Sequence, residues 1–302
     1  MHKAGPLPAP PWIIEQVRRN KSKADPAVHR ATSNRLSASG LNTVCESARC
    51  PNRNRCYSRG TATFMILGNV CTRNCAFCAV DHGKPSSVDR EEPAKLKEAV
   101  KEMALSHVVI TSVTRDDLGD GGAGNFAAVI GELRTIENPP TIEVLVPDFK
   151  GSPAALETVL KAQPEVLAHN VETVPRLYPE VRPGADYPRS LELLAAAAGS
   201  GRTVVKTGLM LGLGEKREEL LALLEDLRAA GVEMITMGQY LAPSLRHYPV
   251  QRYVTPGEFA ELDRVAREMG FKGVASAPLV RSSYNAGSCY KEVIKLCQGY
   301  GG

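Results

Sequence analysis

The chain of 302 residues contains no apolar run long enough to span a membrane. Its N-terminus, Met1 to Trp12, is rich in proline and lacks an apolar h-region, so no secretory signal is expected. A formal net charge of +4 is too mild to argue for nucleic acid, although it suits an acidic protein partner. Low-complexity segments and internal sequence repeats are lacking. Eight cysteines in 302 residues fall short of disulfide-scaffold density. What remains is an ordinary globular composition, 43% hydrophobic and 23% charged, at a length that suits an α/β barrel.

Six of the eight cysteines crowd between Cys45 and Cys78. Cys45, Cys50 and Cys56 form a C-x4-C-x5-C run; Cys71, Cys75 and Cys78 form a C-x3-C-x2-C run. Such crowding in an intracellular chain favours metal over disulfides. Iron–sulfur clusters take cysteine thiolates as ligands. Three thiolates occupy three irons of a [4Fe–4S] cube and leave one iron open to a substrate. The expectation is an enzyme with two clusters, at least one of them reactive. A zinc knuckle fits less well, because structural zinc usually takes four ligands in pairs and no second pair lies at suitable spacing. Low-potential clusters need a reducing compartment, so a cytoplasmic location is expected.

Residues 1–35 read as an N-terminal arm with one short amphipathic helix carrying Trp12, Ile13, Ile14 and Val17, broken at Asn20–Lys23 and Asp25-Pro26. Residues 36–60 hold the first triplet. Short apolar, β-branched runs then recur: Thr63 to Leu67, His107 to Val113, Thr141 to Val146, Val166 to Val171, Thr203 to Leu209 and Met234 to Tyr240. Continuous rather than alternating apolar character suits parallel strands covered on both faces. Helical stretches lie between them. Leu96, Val100 and Met103 share one face after Pro93. Leu220, Leu223, Leu224 and Leu227 precede Gly231. Thr255 to Glu258 has capping-box spacing ahead of Phe259, Leu262, Ala266 and Met269. Six β/α units imply a partial (β/α)6 parallel TIM-like barrel over 61–250, with N- and C-terminal extensions that carry the second cluster site. Residues 251–302 add a helix, a strand-like run at Gly273 to Ala277 and a polar tail. Barrels place reactive groups at strand C-termini. Thr111, Ser112, Asn170, Glu172, Lys206 and Gln239 are therefore expected in the mouth beside Cys71, Cys75 and Cys78.

Cys71-Thr-Arg-Asn-Cys75-Ala-Phe-Cys78, with Phe77 before its last cysteine, resembles the signature of the radical S-adenosylmethionine superfamily. The resemblance implies that the open iron chelates the amino and carboxylate groups of S-adenosylmethionine. One electron then splits the cofactor and yields a 5′-deoxyadenosyl radical. Ser112, Asn170 and Glu172, where two strands should end, are candidates to hold the cofactor, since amide, hydroxyl and carboxylate groups suit its ribose, carboxylate and ammonium.

The first triplet upstream of the second, together with Arg281-Ser-Ser-Tyr284, Thr111 to Gly122 and Gly238 to Ser244, resembles the lipoyl synthase family over about residues 36–286. That resemblance implies sulfur insertion at carbons 6 and 8 of a protein-bound octanoyl-lysine. The auxiliary [4Fe–4S] cluster is implied to be the consumed sulfur donor, with Ser283 as the fourth ligand beside Cys45, Cys50 and Cys56. A serine alkoxide is a harder, less matched ligand than thiolate in a sulfide cube, so it should leave more readily. The implied partners are an octanoylated lipoyl carrier domain (H protein or a 2-oxoacid dehydrogenase E2 subunit), a low-potential donor such as ferredoxin or flavodoxin, and an iron–sulfur cluster carrier for repair. No nucleic acid and no membrane is expected, and the chain is read as a monomer.

Other features carry bland and functional readings side by side. Asp116, Asp117 and Asp120 with Gly121-Gly122 suit a turn or a contact with the cofactor's amino group. Gly212 to Glu215 lacks the third glycine of a nucleotide fingerprint and reads as a strand-to-helix turn, possible near the adenine. Arg49, Arg53, Arg55 and Arg59 form a basic patch that can dock an acidic carrier or offset cluster charge. Cys289 and Cys297 read as free or buried thiols, although Cys289 is close enough in sequence to compete with Ser283. His82, His107 and His169 lack ligand spacing. Two other functions fit part of the pattern: a radical enzyme that keeps its auxiliary cluster for substrate binding or electron transfer, and a non-catalytic iron–sulfur carrier.

Overall fold

The computed structural model describes residues 7–22 and 24–299. Seven parallel strands form one sheet in chain order: β1 (Thr63–Ile66), β2 (His107–Ser112), β3 (Thr141–Leu145), β4 (Val166–Ala168), β5 (Val204–Leu211), β6 (Met234–Gln239) and β7 (Gly273–Ser276). Thr63 pairs with Val109, His107 with Thr141, and Lys206 with Met234, so each strand is in register with its chain neighbour. A two-residue strand, Asn42–Thr43, runs antiparallel to β1. Among the described residues no ladder joins β7 back to that edge, so the barrel is open. Six parallel units were expected. The run at Gly273 to Ala277 extends them as a seventh strand, because its register on β6 is unbroken from Gly273 to Ser276.

Alternate strand residues take opposite sides. Val108, Ile110, Ile142, Val144, Leu167, Val205 and Ile235 join the helices in one core. Helices α3 (Glu92–Glu102), α4 (Ala123–Arg134), α5 (Pro153–Lys161), α6 (Tyr187–Gly199), α7 (Arg217–Ala229) and α8 (Pro256–Glu268) follow successive strands. On α4, Phe126, Val129, Ile130 and Leu133 are fully buried at helical spacing. The capping box of α8 forms in full: Thr255 Oγ1 accepts from the Glu258 amide at 3.2 Å, and Glu258 Oε2 accepts from the Thr255 amide at 2.8 Å.

The two ends of the chain depart from the sequence expectation. Two helices, not one, precede the first triplet: α1 (Pro11–Ser22) and α2 (Pro26–Ser39). Asp25-Pro26 starts the second rather than merely breaking the first. The Asp25 carboxylate caps the amides of Ala27 and Val28, and Pro26 occupies the first turn. Lys23 lies outside the described residues. The polar tail is instead a helix, Ala286–Gly299, packed on β2 and β7. Val293 anchors it, fully buried against Gly273, where an added Cβ would lie 2.8 Å from its side chain. Among the described residues no helix is long and apolar enough to cross a membrane.

Candidate active site

Leu67 follows β1 with φ of 68°, its amide held by both oxygens of Glu92 at 2.9 and 3.1 Å. The chain then turns into the loop of Cys71, Cys75 and Cys78, at the C-terminal end of the strands. Neighbouring loops pin that loop from all sides. Thr72 Oγ1 donates to the Thr114 carbonyl at 2.9 Å. The Ala76 amide donates to Val181 O at 3.0 Å, and the Tyr248 amide donates to Ala76 O at 2.8 Å. His247 bridges the Cys78 carbonyl at 3.1 Å and Ser244 Oγ at 2.9 Å. Arg73, inside the loop, pairs with Asp116 at 2.7 Å and Asp148 at 2.6 Å. Burial pushes the Cys78 thiol up to about 12, helped by Cys75 and Cys71, and raises Cys75 as well. Thiols that resist ionisation beside one another are stabilised when a metal takes their protons' place.

A cavity of about 120 Å³ opens beside this loop and is lined by Ser112, Asn170, Glu172 and Arg182. Glu172 has φ of 67°, a left-handed conformation unusual for its type, held by hydrogen bonds to and from β5 at 3.0 and 2.8 Å. Asn170 Nδ2 donates to Glu172 Oε1 at 2.9 Å. Ser112 Oγ, Asn170 Oδ1 and Arg182 Nε are buried without a partner. Buried polar atoms are normally paired. Hydroxyl, amide oxygen and guanidinium nitrogen therefore fit a polar cofactor in this cavity.

The other triplet lies at the opposite end of the strands. Cys45, Cys50 and Cys56 line a cavity of about 400 Å³ with Thr63, His107, Val109, Arg281 and Ser283. Thr63 and His107 are the first residues of β1 and β2, whereas Ser112 is the last of β2. Burial pushes Cys45 up to about 12 and Cys56 up to about 11. Ser283 Oγ accepts a 2.8 Å hydrogen bond from Thr63 Oγ1. Val109 and Thr111 border the two cavities, two residues apart on the inner face of β2. Among the described residues no three His, Cys, Asp or Glu side chains converge on a single metal ion. Cluster ligands bind separate irons of one cube and stand farther apart, so three thiols and a hydroxyl around one cavity suit a cube.

The Radical SAM superfamily profile matches residues 65–227. The lipoyl synthase of Caldicellulosiruptor saccharolyticus is 51% identical over 92% of this chain and 95% of its own length. That of Caldanaerobacter subterraneus is 55% identical over 82% and 87%, and that of Methylococcus capsulatus 53% over 93% and 86%. The chain belongs to the lipoyl synthase family. It is thus a radical S-adenosylmethionine sulfurtransferase, and the family implies S-adenosylmethionine and two [4Fe–4S] clusters. The fold is similar to that of HydG, a maturase of the [FeFe]-hydrogenase (TM-score 0.58, 15% identity, 92% of this chain and 69% of that one). It is also similar to that of methylornithine synthase (TM-score 0.53, 14% identity, 84% and 73%).

Several residues lie elsewhere than barrel geometry and local motifs suggested. Lys206 and Gln239 are not in the mouth. Lys206 sits near the start of β5, 1% exposed, bonded to Glu143 at 2.6 Å. Gln239 is fully buried, donating to Tyr240 O and Arg252 O and accepting from the Val254 amide. The acidic loop is occupied internally: Asp116 by Arg73, Asp117 by Arg115, and Asp120 by the amides of Gly122 and Gly124. The Gly212 turn is closed by Glu215, whose carboxylate accepts from the Gly212 and Leu213 amides. Cys289 faces Lys206, Glu292 and Glu143 and does not line the first-triplet cavity, which Ser283 does. The side chain of Cys297 lies outside the described residues. Sequence reasoning missed Arg182, which sits in an irregular segment with no motif around it. Thr63 was seen only as a strand residue, and Arg281 only as the start of a motif.

Proposed function

We propose that this chain inserts two sulfur atoms, at carbons 6 and 8, into an octanoyl chain carried on a lysine of a lipoyl carrier domain. When bound, the cofactors supply an organic radical that takes hydrogen from an unactivated carbon, and sulfide for insertion. Cys71, Cys75 and Cys78 are proposed to hold the first cluster, with Ser112, Asn170, Glu172 and Arg182 around S-adenosylmethionine. Cys45, Cys50, Cys56 and Ser283 are proposed to hold the second. One observation carries the reading: the two cavities adjoin on the inner face of β2, where Val109 lines the one with Cys50 and Arg281, and Thr111 lines the one with Glu172. Such an arrangement supports two sites that act on one extended substrate between them. The strands and helices around the lumen position the chain and exclude water. We further infer a low-potential donor such as ferredoxin or flavodoxin, a cluster carrier that rebuilds the second site, a monomer and a cytoplasmic setting.

Anaerobically reconstituted Cys75→Ala and Cys50→Ala variants divide the labour. Cys75→Ala is expected to form no 5′-deoxyadenosine. Cys50→Ala is expected to form it without any dithiolated product. Dithiolated octanoyl-lysine from Cys50→Ala would remove the donor assignment and favour an enzyme whose auxiliary cluster stays whole.

A further inference from the structure

The cavity beside Cys45, Cys50 and Cys56 is lined by four cationic side chains, Arg55, Arg59, Arg281 and Lys291, and by no carboxylate. Arg59 and Lys291 are exposed; Arg55 and Arg281 are less so. Among the described residues none of the four is paired with an acid. Arg59 reaches the amide oxygen of Asn285 at 3.4 Å, and Arg55 reaches that of Asn20 at 3.3 Å and lies over the Tyr284 ring. Other surface arginines meet carboxylates, as in Arg176 with Glu219, Arg202 with Glu157 and Arg217 with Glu261. Like charges gathered at one opening repel one another until an anion meets them. A cluster with its thiolates accounts for the inner pair. It leaves Arg59 and Lys291 facing outward.

The position of this opening narrows the choice of partner. It lies at the N-terminal ends of β1 and β2, away from Cys71, Cys75 and Cys78. An electron donor must approach those three cysteines instead. A lysine bearing a long acyl chain needs an entrance to the lumen, and the cavity here is about 400 Å³ against about 120 Å³ at the other end. We propose that Arg59 and Lys291 form the docking rim for an acidic face of the carrier domain, so that the acyl chain enters the barrel from the side of the first triplet. This inference rests on the sulfur-insertion reading above.

The test uses the reconstituted full-length enzyme with two probes: an octanoylated carrier domain, and a short uncharged peptide bearing octanoyl-lysine. In Arg59→Glu and Lys291→Glu, KM for the domain is expected to rise about tenfold at low salt, and its salt dependence to flatten. KM for the peptide is expected to change less than about twofold, since the peptide cannot use the rim. Leu245→Asp with Arg246→Glu, at the exposed loop beside the second triplet (Leu245 is 83% exposed), is expected to leave the domain's KM alone. An unchanged KM for the domain in both rim variants overturns the proposal. So does an equal rise for both probes, or a rise confined to the Leu245 and Arg246 variant. Direct binding of the domain, read by fluorescence anisotropy, reports docking even if neither probe is thiolated, which separates a failure of docking from a failure of the functional reading.

Discussion

Thr63 Oγ1 donates a 2.8 Å hydrogen bond to Ser283 Oγ, joining the first residue of β1 to a loop 220 positions later. The contact places the serine at the wall of the first-triplet cavity. It leaves the serine oxygen a second lone pair for a metal, and a hydrogen bond donated to that oxygen favours its deprotonated, ligating form. Thr63→Val removes one net hydrogen bond, about 1 kcal/mol. The expected result is an auxiliary site that loses iron several-fold faster to a chelator, with S-adenosylmethionine cleavage retained. Thr63→Ser restores retention. Ser283→Ala likewise spares cleavage and impairs dithiolation. Unaltered iron loss in Thr63→Val would remove the role assigned to this bond.

Arg182 lies half-buried between two roles. Its Nη1 donates to the carbonyls of Asn170 and Val171 at 3.0 and 2.9 Å, while Nε has no partner. A charged hydrogen bond is worth about 1.5–3 kcal/mol. Arg182→Gln is expected to weaken S-adenosylmethionine binding by at least about tenfold, read as the cofactor concentration that shifts the electron paramagnetic resonance of the reduced cluster. An unchanged titration with intact iron content would make Arg182 structural only.

His169 gives the apoprotein an acid-sensitive step. Its ring is buried and bonds to Val146 O at 2.9 Å and Ser190 Oγ at 3.0 Å. A carbonyl can only accept, so Nδ1 carries the proton and Nε2 accepts. Burial, reinforced by the charge of Arg182, pushes the group down to about 4. The unfolded imidazole titrates near about 6.5. Stability from the neutral ring is therefore whole above that value, falls as pH drops towards 4, and is flat below. Urea melts of the apoprotein should show this slope, and His169→Gln should lower it by about one proton. An identical slope in the variant would assign the loss to other groups.

Lys206 and Glu143 form a pair in which both side chains are 1% exposed. His107 stands 3.4 Å from the other oxygen of Glu143. Lys206→Met leaves Glu143 buried without its cation and should cost about 3–5 kcal/mol. Lys206→Met with Glu143→Leu should recover most of that loss. Calorimetry of the two variants checks it; equal destabilisation in both would mean that packing, not charge, governs the site.

Much of this molecule was legible along the chain. The strands were readable because parallel strands covered on both faces leave continuous apolar runs, as in Val166–Ala168. The cysteine triplets were readable because their members lie within a few residues of one another. Some signals were misread locally. Asp25-Pro26 looked like a break and is a helix start, and the single anchoring Val293 was too little to mark a helix in a polar tail.

The sequence by itself determined the α/β rhythm, the two groups of thiols and the family to which they belong, because each is written in short spacings or runs. Tertiary structure alone decided which end of the barrel each triplet occupies, that Thr63 meets Ser283, that Arg182 lines one cavity and Arg281 the other, and that Lys206 and Gln239 do not reach the mouth. These facts depend on strand register and on which way each side chain faces, and pairing between distant segments sets both.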